Sequence, residues 1–123
     1  SDVEHFGGEL ICTFSKRNRK PVSTQLLTGP SSSLTAWGND FGFETYFERQ
    51  VEANGNNGDI LFLLSTGGGN VKKKISTNLI YAAKMAKKKK LKIMNVGLAL
   101  HQTQLEHCLL VIEFLLRRML EKL

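Results

Sequence analysis

Cysteine, proline and long apolar runs are scarce in this sequence, and each scarcity excludes a class of protein. Two prolines among 123 residues are too few for a collagen-like chain, and the two cysteines share no CxxC spacing that would indicate a disulfide scaffold or metal cluster. We expect Cys12 and Cys108 to be buried thiols in a reducing compartment. No apolar run reaches the ~18–20 residues that cross a bilayer, and no signal peptide opens the chain. These absences predict a cytoplasmic protein with no membrane contact.

Acidic residues are also outnumbered. Eleven of them stand against seventeen lysines and arginines, which gives a formal net charge of +6, and a basic surface attracts anions. The charge alone leaves nucleic acid, lipid and a small phosphate open as partners. A hydrophobic share of 41% and a charged share of 23% are those of an ordinary soluble chain. The length fits one domain over residues 1–123.

Hydrophobic periodicity predicts alternating helices and strands. The predicted helices cover residues 2–13, 43–51, 76–90 and 103–122, and the predicted strands cover 25–28, 60–64 and 91–96, with a loop over 29–33. The order strand, loop, helix, strand in the centre of the chain predicts an α/β fold with a parallel sheet. The five-residue apolar run at 60–64 is typical of a parallel strand covered on both faces.

A glycine-rich loop, Ser65-Thr66-Gly67-Gly68-Gly69-Asn70, follows that apolar strand. Loops in this position bind anions in open α/β sheets, because backbone N–H groups and the positive end of the next helix point there. Ser65 and Thr66 add hydroxyl donors. A tight turn with no ligand is the alternative, and neither the dinucleotide fingerprint nor the phosphate loop of nucleotide hydrolases is present.

Two polar pairs stand at helix positions. His5 and Glu9 are four residues apart on the first predicted helix, so their side chains leave the same face. Such a pair is more often a solvated surface pair than a site. Asn39 and Asp40 precede the predicted helix at 43–51, and Asp40 is a candidate cap for it.

Lysines cluster at the end of the helix predicted over 76–90. Cations there complement the negative end of the helix dipole, so a solvated helix end accounts for them. Nucleic-acid binding is disfavoured, because no aromatic residues are interleaved for stacking. The cluster comprises Lys84, Lys87, Lys88, Lys89, Lys90 and Lys92.

The helix predicted over 103–122 is apolar nearly all round. A helix of this kind is buried on more than one side, so we expect it to contact other subunits of a homo-oligomer. Glu106, Glu113, Arg117 and Arg118 along it disfavour membrane insertion.

Four stretches together resemble the phosphoheptose isomerase family, whose members have sugar isomerase (SIS) domains. Residues 59–66 (DILFLLST) are similar to the phosphate-loop strand of SIS domains, and residues 38–43 (GNDFGF) match a signature of the phosphoheptose isomerases. Residues 47–53 (FERQVEA) then lead to the strand at the family's spacing. Residues 2–10 (DVEHFGGEL) are similar to the family's helix Asp-Ala-x-His-Phe-Ala-x-Glu-Leu. The similarity covers residues 2–66 well and the rest loosely.

The resemblance implies a flavodoxin-like, three-layer SIS domain with a central parallel sheet flanked by helices, assembled as a tetramer. It implies a phosphosugar aldose–ketose isomerase that converts sedoheptulose 7-phosphate to D-glycero-D-manno-heptose 7-phosphate for the heptose of lipopolysaccharide. In the family a Gly-Asn-Gly-Gly-Ser loop precedes the first helix, whereas this sequence begins after that point. Near residues 97–101 of this sequence, a strand-like run passes straight into a helix-like run with no loop between them. We therefore expect the chain to lack the amino-terminal part of the domain and an internal loop near 97–101.

The resemblance also implies roles for individual residues. Glu9 is the expected base, and His5 is the expected acid partner or a zinc ligand, since several members carry zinc there. The implied substrate-binding residues are Asn39, Asp40, Ser65, Thr66, Gly67, Ser76 and Gln104, and the implied metal ligands are His5, Glu9 and Gln104.

The sequence departs from the family at two places. The family's loop is Ser-Thr-Ser-Gly-Asn-Ser, whereas Gly67, Gly69 and Asn70 here replace two serines and an asparagine. Residues 71–75 (VKKKI) look inserted, so Ser76 is expected as both a helix cap and a replacement hydroxyl, with the lysines near the phosphate. On the last helix the family has a histidine two turns after its glutamine, where this chain has Ile112 and Glu113. Either the register slips by one residue and Glu113 is the counterpart of that histidine, or the second group on the last helix is absent. These departures indicate a sister branch of the family.

A non-catalytic SIS protein is the alternative. The altered loop, the unsettled position on the last helix and the basic surface favour a phosphosugar sensor or a relative that binds a replication initiator. The full string GNDFGF at residues 38–43 favours the enzyme.

Overall fold

The computed structural model describes residues 2–13, 18–27, 31–65 and 69–97. The expectations for Thr66, Gly67, Gln104 and Cys108, and for the helix over 103–122, lie outside the described residues. The chain divides into two compact units, and among the described residues the boundary between them lies between Leu26 and Leu27. The described residues up to Leu26 belong to the first unit and those from Leu27 to the second.

The first unit begins with one continuous helical stretch. Helix α1 (Asp2–Gly8) passes directly into a π-helical turn at Glu9–Thr13, so the helix expected over 2–13 is confirmed with a wider last turn. Phe6 and Leu10, one turn apart, are its buried side chains. The chain then folds back, and the Val22 N–H donates to the Leu10 carbonyl oxygen at 3.1 Å.

Two expectations in this unit are wrong. Cys12 is exposed rather than buried, because it follows the buried Leu10 by two residues and so lies on roughly the opposite side of the helical turn. Residues 25–27 form no strand. Leu26 instead packs against Gly7 of α1. The contact is so close that a Cβ added to Gly7 would lie 2.5 Å from the Cδ2 atom of Leu26.

The second unit contains the α/β part of the chain. Its elements in chain order are helix α2 (Ser31–Phe41), a 3₁₀ turn (Phe43–Thr45), helix α3 (Tyr46–Asn54), strand β1 (Ile60–Ser65), helix α4 (Thr77–Lys88) and strand β2 (Lys92–Gly97). The expected order of strand, loop, helix and strand is confirmed. Strands β1 and β2 pair in parallel, with Ile60 opposite Lys92 and Ser65 opposite Gly97.

One face of this sheet is covered. Leu61 and Leu63 of β1 share a buried cluster with Val51 of α3 and with Ala82 and Ala86 of α4. The intervening side chains of β1 are half-buried and Ile60 is exposed. The apolar run predicts that β1 is buried on both faces. Within the described residues only one face is buried, because α3 and α4 pack against the same side of the sheet.

Helix α2 corrects two further expectations. Ser31–Ser33, expected in a loop, are helical, and the Thr35 hydroxyl donates to the carbonyl oxygens of Ser31 and Ser32 at 3.0 and 3.1 Å. Asp40 lies inside α2 and caps no following helix, since Gly42 precedes the 3₁₀ turn without a side-chain cap.

None of the helices in the described ranges combines the length and the apolar character that crossing a membrane requires.

Candidate active site

The side chains of His5 and Glu9 meet on one face of the first helical stretch. Nε2 of His5 lies 3.8 Å from Oε1 of Glu9, and the two side chains are 68% and 29% exposed. Burial of Phe6 and Leu10 on the adjoining face orients the pair toward solvent. An imidazole and a carboxylate in this arrangement can exchange protons with a bound molecule.

The backbone beneath Glu9 is held from outside the helix. The Arg19 guanidinium donates a hydrogen bond to the Glu9 carbonyl oxygen, and a second one to the Lys20 carbonyl oxygen at 3.0 Å. Glu9 also stands where α1 changes to the π-helical turn. Turns of this kind occur frequently at functional sites, because they shift side chains away from the regular helical positions.

The same pair fits part of a metal site. Imidazole nitrogen and carboxylate oxygen are donors that Zn²⁺ binds at about 2.0–2.2 Å. Two donor atoms that bind the same ion are separated by less than twice this bond length, and the 3.8 Å between Nε2 of His5 and Oε1 of Glu9 meets that condition. A zinc site requires three or four protein ligands. Within the described ranges, no group of three or more His, Cys, Asp or Glu side chains gathers, so the pair offers two ligands and a third has to come from elsewhere.

Asn39 and Asp40 lie in the last turn of α2 rather than at a helix start. Both side chains are exposed. Their amide and carboxylate groups are therefore available to sugar hydroxyls. Their predicted role in substrate binding stays a prediction.

Ser65 ends β1 at the carboxyl edge of the parallel pair, opposite Gly97 of β2. It is half-buried. In open α/β sheets ligands bind outside this edge. Thr66 and Gly67, expected beside it, lie outside the described residues.

Ser76 occupies the N-cap position of α4 but makes no side-chain cap hydrogen bond. Its backbone is left-handed, with φ 48° and ψ 39°, whereas a capping serine has an extended backbone that aims its oxygen at the helix N–H groups. Ser76 therefore stands at the expected N-cap position but does not make the expected capping hydrogen bond. The half-exposed hydroxyl remains available to a ligand.

An aromatic cluster escaped the sequence analysis. The Trp37 indole N–H donates to the Thr45 hydroxyl at 2.9 Å, its ring lies 4.5 Å from that of Phe41, and the Arg49 guanidinium lies 5.6 Å above it. Trp37 and Phe41 have the i, i+4 spacing of a helix. The serines at 31–33 favour a loop, and in the sequence they outweigh this helical signal.

The lysine cluster at the end of α4 is largely solvated. Lys87, Lys88 and Lys90 are exposed, and Lys84 lies 5.2 Å from the ring of Tyr81. The Lys89 ammonium donates to the Glu52 carbonyl oxygen of α3. These contacts fit the interpretation of the cluster as a helix end in water.

Comparison with known proteins identifies the fold. A phosphoheptose isomerase structure from Francisella tularensis matches with a TM-score of 0.66 and 33% identity, covering 76% of this chain and 46% of that one. A second, from Neisseria gonorrhoeae, covers 99% of this chain and 70% of that one with a TM-score of 0.73; at 23% identity it bears on the fold alone. The chain therefore has the fold of a phosphosugar isomerase.

Sequence relatives identify the family. The phosphoheptose isomerase of Campylobacter jejuni is 41% identical over 99 residues, which is 80% of this chain and 48% of the relative. That of Aquifex aeolicus is 43% identical over 86 residues, 70% of this chain and 41% of the relative. The chain belongs to the phosphoheptose isomerase family. It spans about half the length of the curated relatives it matches, and no family model matches it.

Proposed function

We propose that the protein is an aldose–ketose isomerase that converts sedoheptulose 7-phosphate to D-glycero-D-manno-heptose 7-phosphate, for the heptose of lipopolysaccharide. The observation that carries the proposal is the 41% identity to a phosphoheptose isomerase over 80% of the chain. The pairing of His5 with Glu9 at 3.8 Å gives it a chemical basis.

The reaction needs one group that moves a proton between two carbons. In this proposal the Glu9 carboxylate takes a proton from C1 of the ketose, which leaves an enediol, and returns it to C2. The carbonyl oxygen O2 gains a proton and the O1 hydroxyl loses one, and His5 gives the first proton and accepts the second. The net change is zero in protons and electrons, so no external reductant or oxidant is required. General acid–base groups of this kind accelerate such steps by about 10²–10⁴-fold.

The phosphate is proposed to bind at the carboxyl edge of the sheet. Support comes from Ser65 at the end of β1, from the half-exposed Ser76 hydroxyl, and from the amino end of α4. The positive end of a helix favours an anion, and backbone N–H groups there lack helical partners. Asn39 and Asp40 are proposed to hold sugar hydroxyls.

Zinc is a further part of the proposal. His5 and Glu9 would hold it together with Gln104, and the bound ion would polarise the sugar's carbonyl oxygen. The test is zinc binding by the full-length protein, measured by metal analysis after dialysis against zinc. We expect the His5→Ala variant to lose the bound zinc, and retention of a full equivalent would contradict the assignment.

The finer architecture is proposed as well: a flavodoxin-like SIS domain in a cytoplasmic homotetramer. The parallel β1–β2 pair and the likeness to phosphoheptose isomerase structures support the SIS fold. A monomeric mass of the full-length protein in light scattering would contradict the tetramer.

The decisive experiment is incubation of the full-length protein with sedoheptulose 7-phosphate, with and without zinc, while NMR follows the aldose phosphate. We expect product in at least one condition. Saturable binding without product would instead favour the non-catalytic alternative, which the two relatives described above, both named phosphoheptose isomerase, do not support.

A further inference from the structure

The side chain of Arg19 turns back toward the first helical stretch, although both of its neighbours in the chain face the solvent. Arg19 is half-buried, whereas Asn18 and Lys20 are exposed. Its guanidinium donates to the carbonyl oxygen of Glu9, ten residues earlier, and to that of Lys20 at 3.0 Å. The first of these hydrogen bonds holds the backbone of one member of the His5–Glu9 pair.

The returning chain donates to two successive carbonyl oxygens of the helical stretch. Arg19 donates to that of Glu9 through its side chain, and Val22 donates to that of Leu10 through its backbone N–H at 3.1 Å. Both acceptors belong to the π-helical turn at Glu9–Thr13. Such a turn pairs residues five apart instead of four, so its carbonyl oxygens lie off the regular α-helical ladder. Donors from the returning chain therefore stabilise the irregular turn from outside.

The charge and shape of the Arg19 side chain suit this place. Helical carbonyl oxygens point toward the carboxyl end of the helix and carry partial negative charge, which a cation stabilises. The π-helical turn itself contains no basic residue, so Arg19 brings a cation that the turn lacks. A guanidinium has its donors in a rigid planar fork, so it can hold two carbonyl oxygens in one fixed relation.

The backbone position of Glu9 decides what its carboxylate can reach. Glu9 is the first residue of the π-helical turn, directly after α1. Its Oε1 atom lies 3.8 Å from Nε2 of His5, and the side chain is 29% exposed. A displacement of about 1 Å at a reacting group can lower a rate about 10²-fold. A contact that sets the backbone at this residue therefore bears on the rate of proton transfer.

We propose that Arg19 is a positioning residue for Glu9: its hydrogen bond to the Glu9 carbonyl oxygen holds the π-helical turn in the form that keeps the carboxylate beside His5. The inference rests on the proposed function, in which Glu9 moves the proton. In this role Arg19 acts through Glu9 and touches no substrate. Its loss should therefore lower kcat and leave KM nearly unchanged.

The kinetic test compares two variants of the full-length protein that each lose one positive charge. Arg19→Gln removes the guanidinium, and Lys20→Gln is the control, because the Lys20 side chain is exposed and only its backbone carbonyl meets Arg19. We expect kcat for sedoheptulose 7-phosphate to fall about 10–100-fold in Arg19→Gln, with KM within about twofold. Both constants should stay within about twofold in Lys20→Gln. An unchanged kcat in Arg19→Gln, or an equal loss in both variants, would overturn the proposal.

A double-variant cycle separates positioning from general damage to the site. If Arg19 acts through the Glu9 carboxylate, adding Arg19→Gln to Glu9→Gln should lower the residual kcat by no more than about twofold. A further loss of about 10–100-fold in that background would mean that the two residues act independently, and it would contradict the positioning role.

Arg19→Lys is a second variant in case Arg19→Gln does not fold. Lysine keeps the charge but lacks the planar fork, so we expect kcat to fall by only a few-fold, again with little change in KM. An unchanged kcat in this variant would show that charge alone suffices and would remove the proposed role of the guanidinium.

A spectroscopic measurement decides the contact apart from turnover. Glu9–Leu10 is the only Glu–Leu step of this sequence, so carbonyl-labelled glutamate combined with nitrogen-labelled leucine singles out the Glu9 carbonyl in the NMR spectrum. Loss of the hydrogen bond should move this carbon signal upfield in Arg19→Gln and leave it in place in Lys20→Gln.

The outcomes separate the role of Arg19 from the proposed function. Turnover by the wild type, with an unmoved carbonyl signal and an unchanged kcat in Arg19→Gln, would keep the function and remove the positioning role. A wild type without turnover would remove the function. The carbonyl signal would then decide alone: an upfield shift confined to Arg19→Gln would retain Arg19 as the residue that positions Glu9, and an unmoved signal would remove it.

Discussion

Nε2 of His5 lies 3.8 Å from Oε1 of Glu9 across one helical turn, while Arg19 holds the Glu9 carbonyl oxygen from outside the helix. The Glu9 side chain is 29% exposed, so it is accessible to a substrate without being fully solvated. A base that removes a carbon-bound proton needs this combination of access and fixed position.

Replacing Glu9 by Gln should remove the proposed base with little change in shape. We expect kcat for sedoheptulose 7-phosphate to fall about 10²–10⁴-fold, while KM changes by a few-fold at most. The matched control is Glu4→Gln, which removes an exposed carboxylate from the same helix and should leave kcat unchanged. Full turnover by the Glu9 variant would exclude Glu9 as the base.

Replacing Gly69 by Ala tests the approach of the chain to α4. Gly69 has a φ of 80°, and an added Cβ would lie 3.0 Å from Cγ1 of Ile80. Because a left-handed backbone costs residues other than glycine about 1–2 kcal/mol, we expect the free energy of unfolding in urea to fall by about that amount. Gly38→Ala is the control: it lies in α2 with nothing within 4 Å of its added Cβ, and it should raise stability by up to about 1 kcal/mol. Equal stability of the two variants would contradict the described backbone.

The centre of the second unit could be predicted from the sequence because several local signals agree there. The apolar run at 60–64, the glycine loop and the alanine face of α4 all favour strand, loop and helix, and the structure has them in that order. The His5–Glu9 contact likewise follows from helical spacing alone.

Helix α2 could not be predicted on the same grounds. Serine side chains compete with helical hydrogen bonds and favour loops and caps, so Ser31–Ser33 gave a loop signal. The Thr35 hydroxyl bonds back onto this turn, and Trp37 joins the helix to Thr45. The same loop signal makes Asp40 a candidate cap in the sequence, because without α2 it precedes a helix, whereas in the structure it lies in the last turn of one.

The carboxyl end of α4 offers a stabilising substitution. The Leu91 N–H donates to the Ala86 carbonyl oxygen at 2.8 Å and the Lys90 N–H to that of Lys87 at 3.0 Å, a pattern that normally has glycine at the left-handed position. Lys90 fills that position with φ 63°. We expect Lys90→Gly to raise the free energy of unfolding by about 0.5–1 kcal/mol. Lys88→Gly, at the last residue of α4, should lower it by up to about 1 kcal/mol, and a loss of stability in both variants would contradict the cap.

The hydrogen bond from the Trp37 indole to the Thr45 hydroxyl, at 2.9 Å, ties α2 to the start of α3. Thr45→Val keeps the side-chain shape and leaves the half-buried indole N–H without its acceptor, so we expect a loss of about 1–2 kcal/mol in unfolding free energy. Trp37 is the single tryptophan of the chain, so its fluorescence reports this contact directly, and the emission should shift to the red as the indole gains solvent. Thr35→Val is the control, because its exposed hydroxyl bonds only within α2, and it should leave the emission in place. An unshifted spectrum and unchanged stability in Thr45→Val would show that packing alone holds α2 in position.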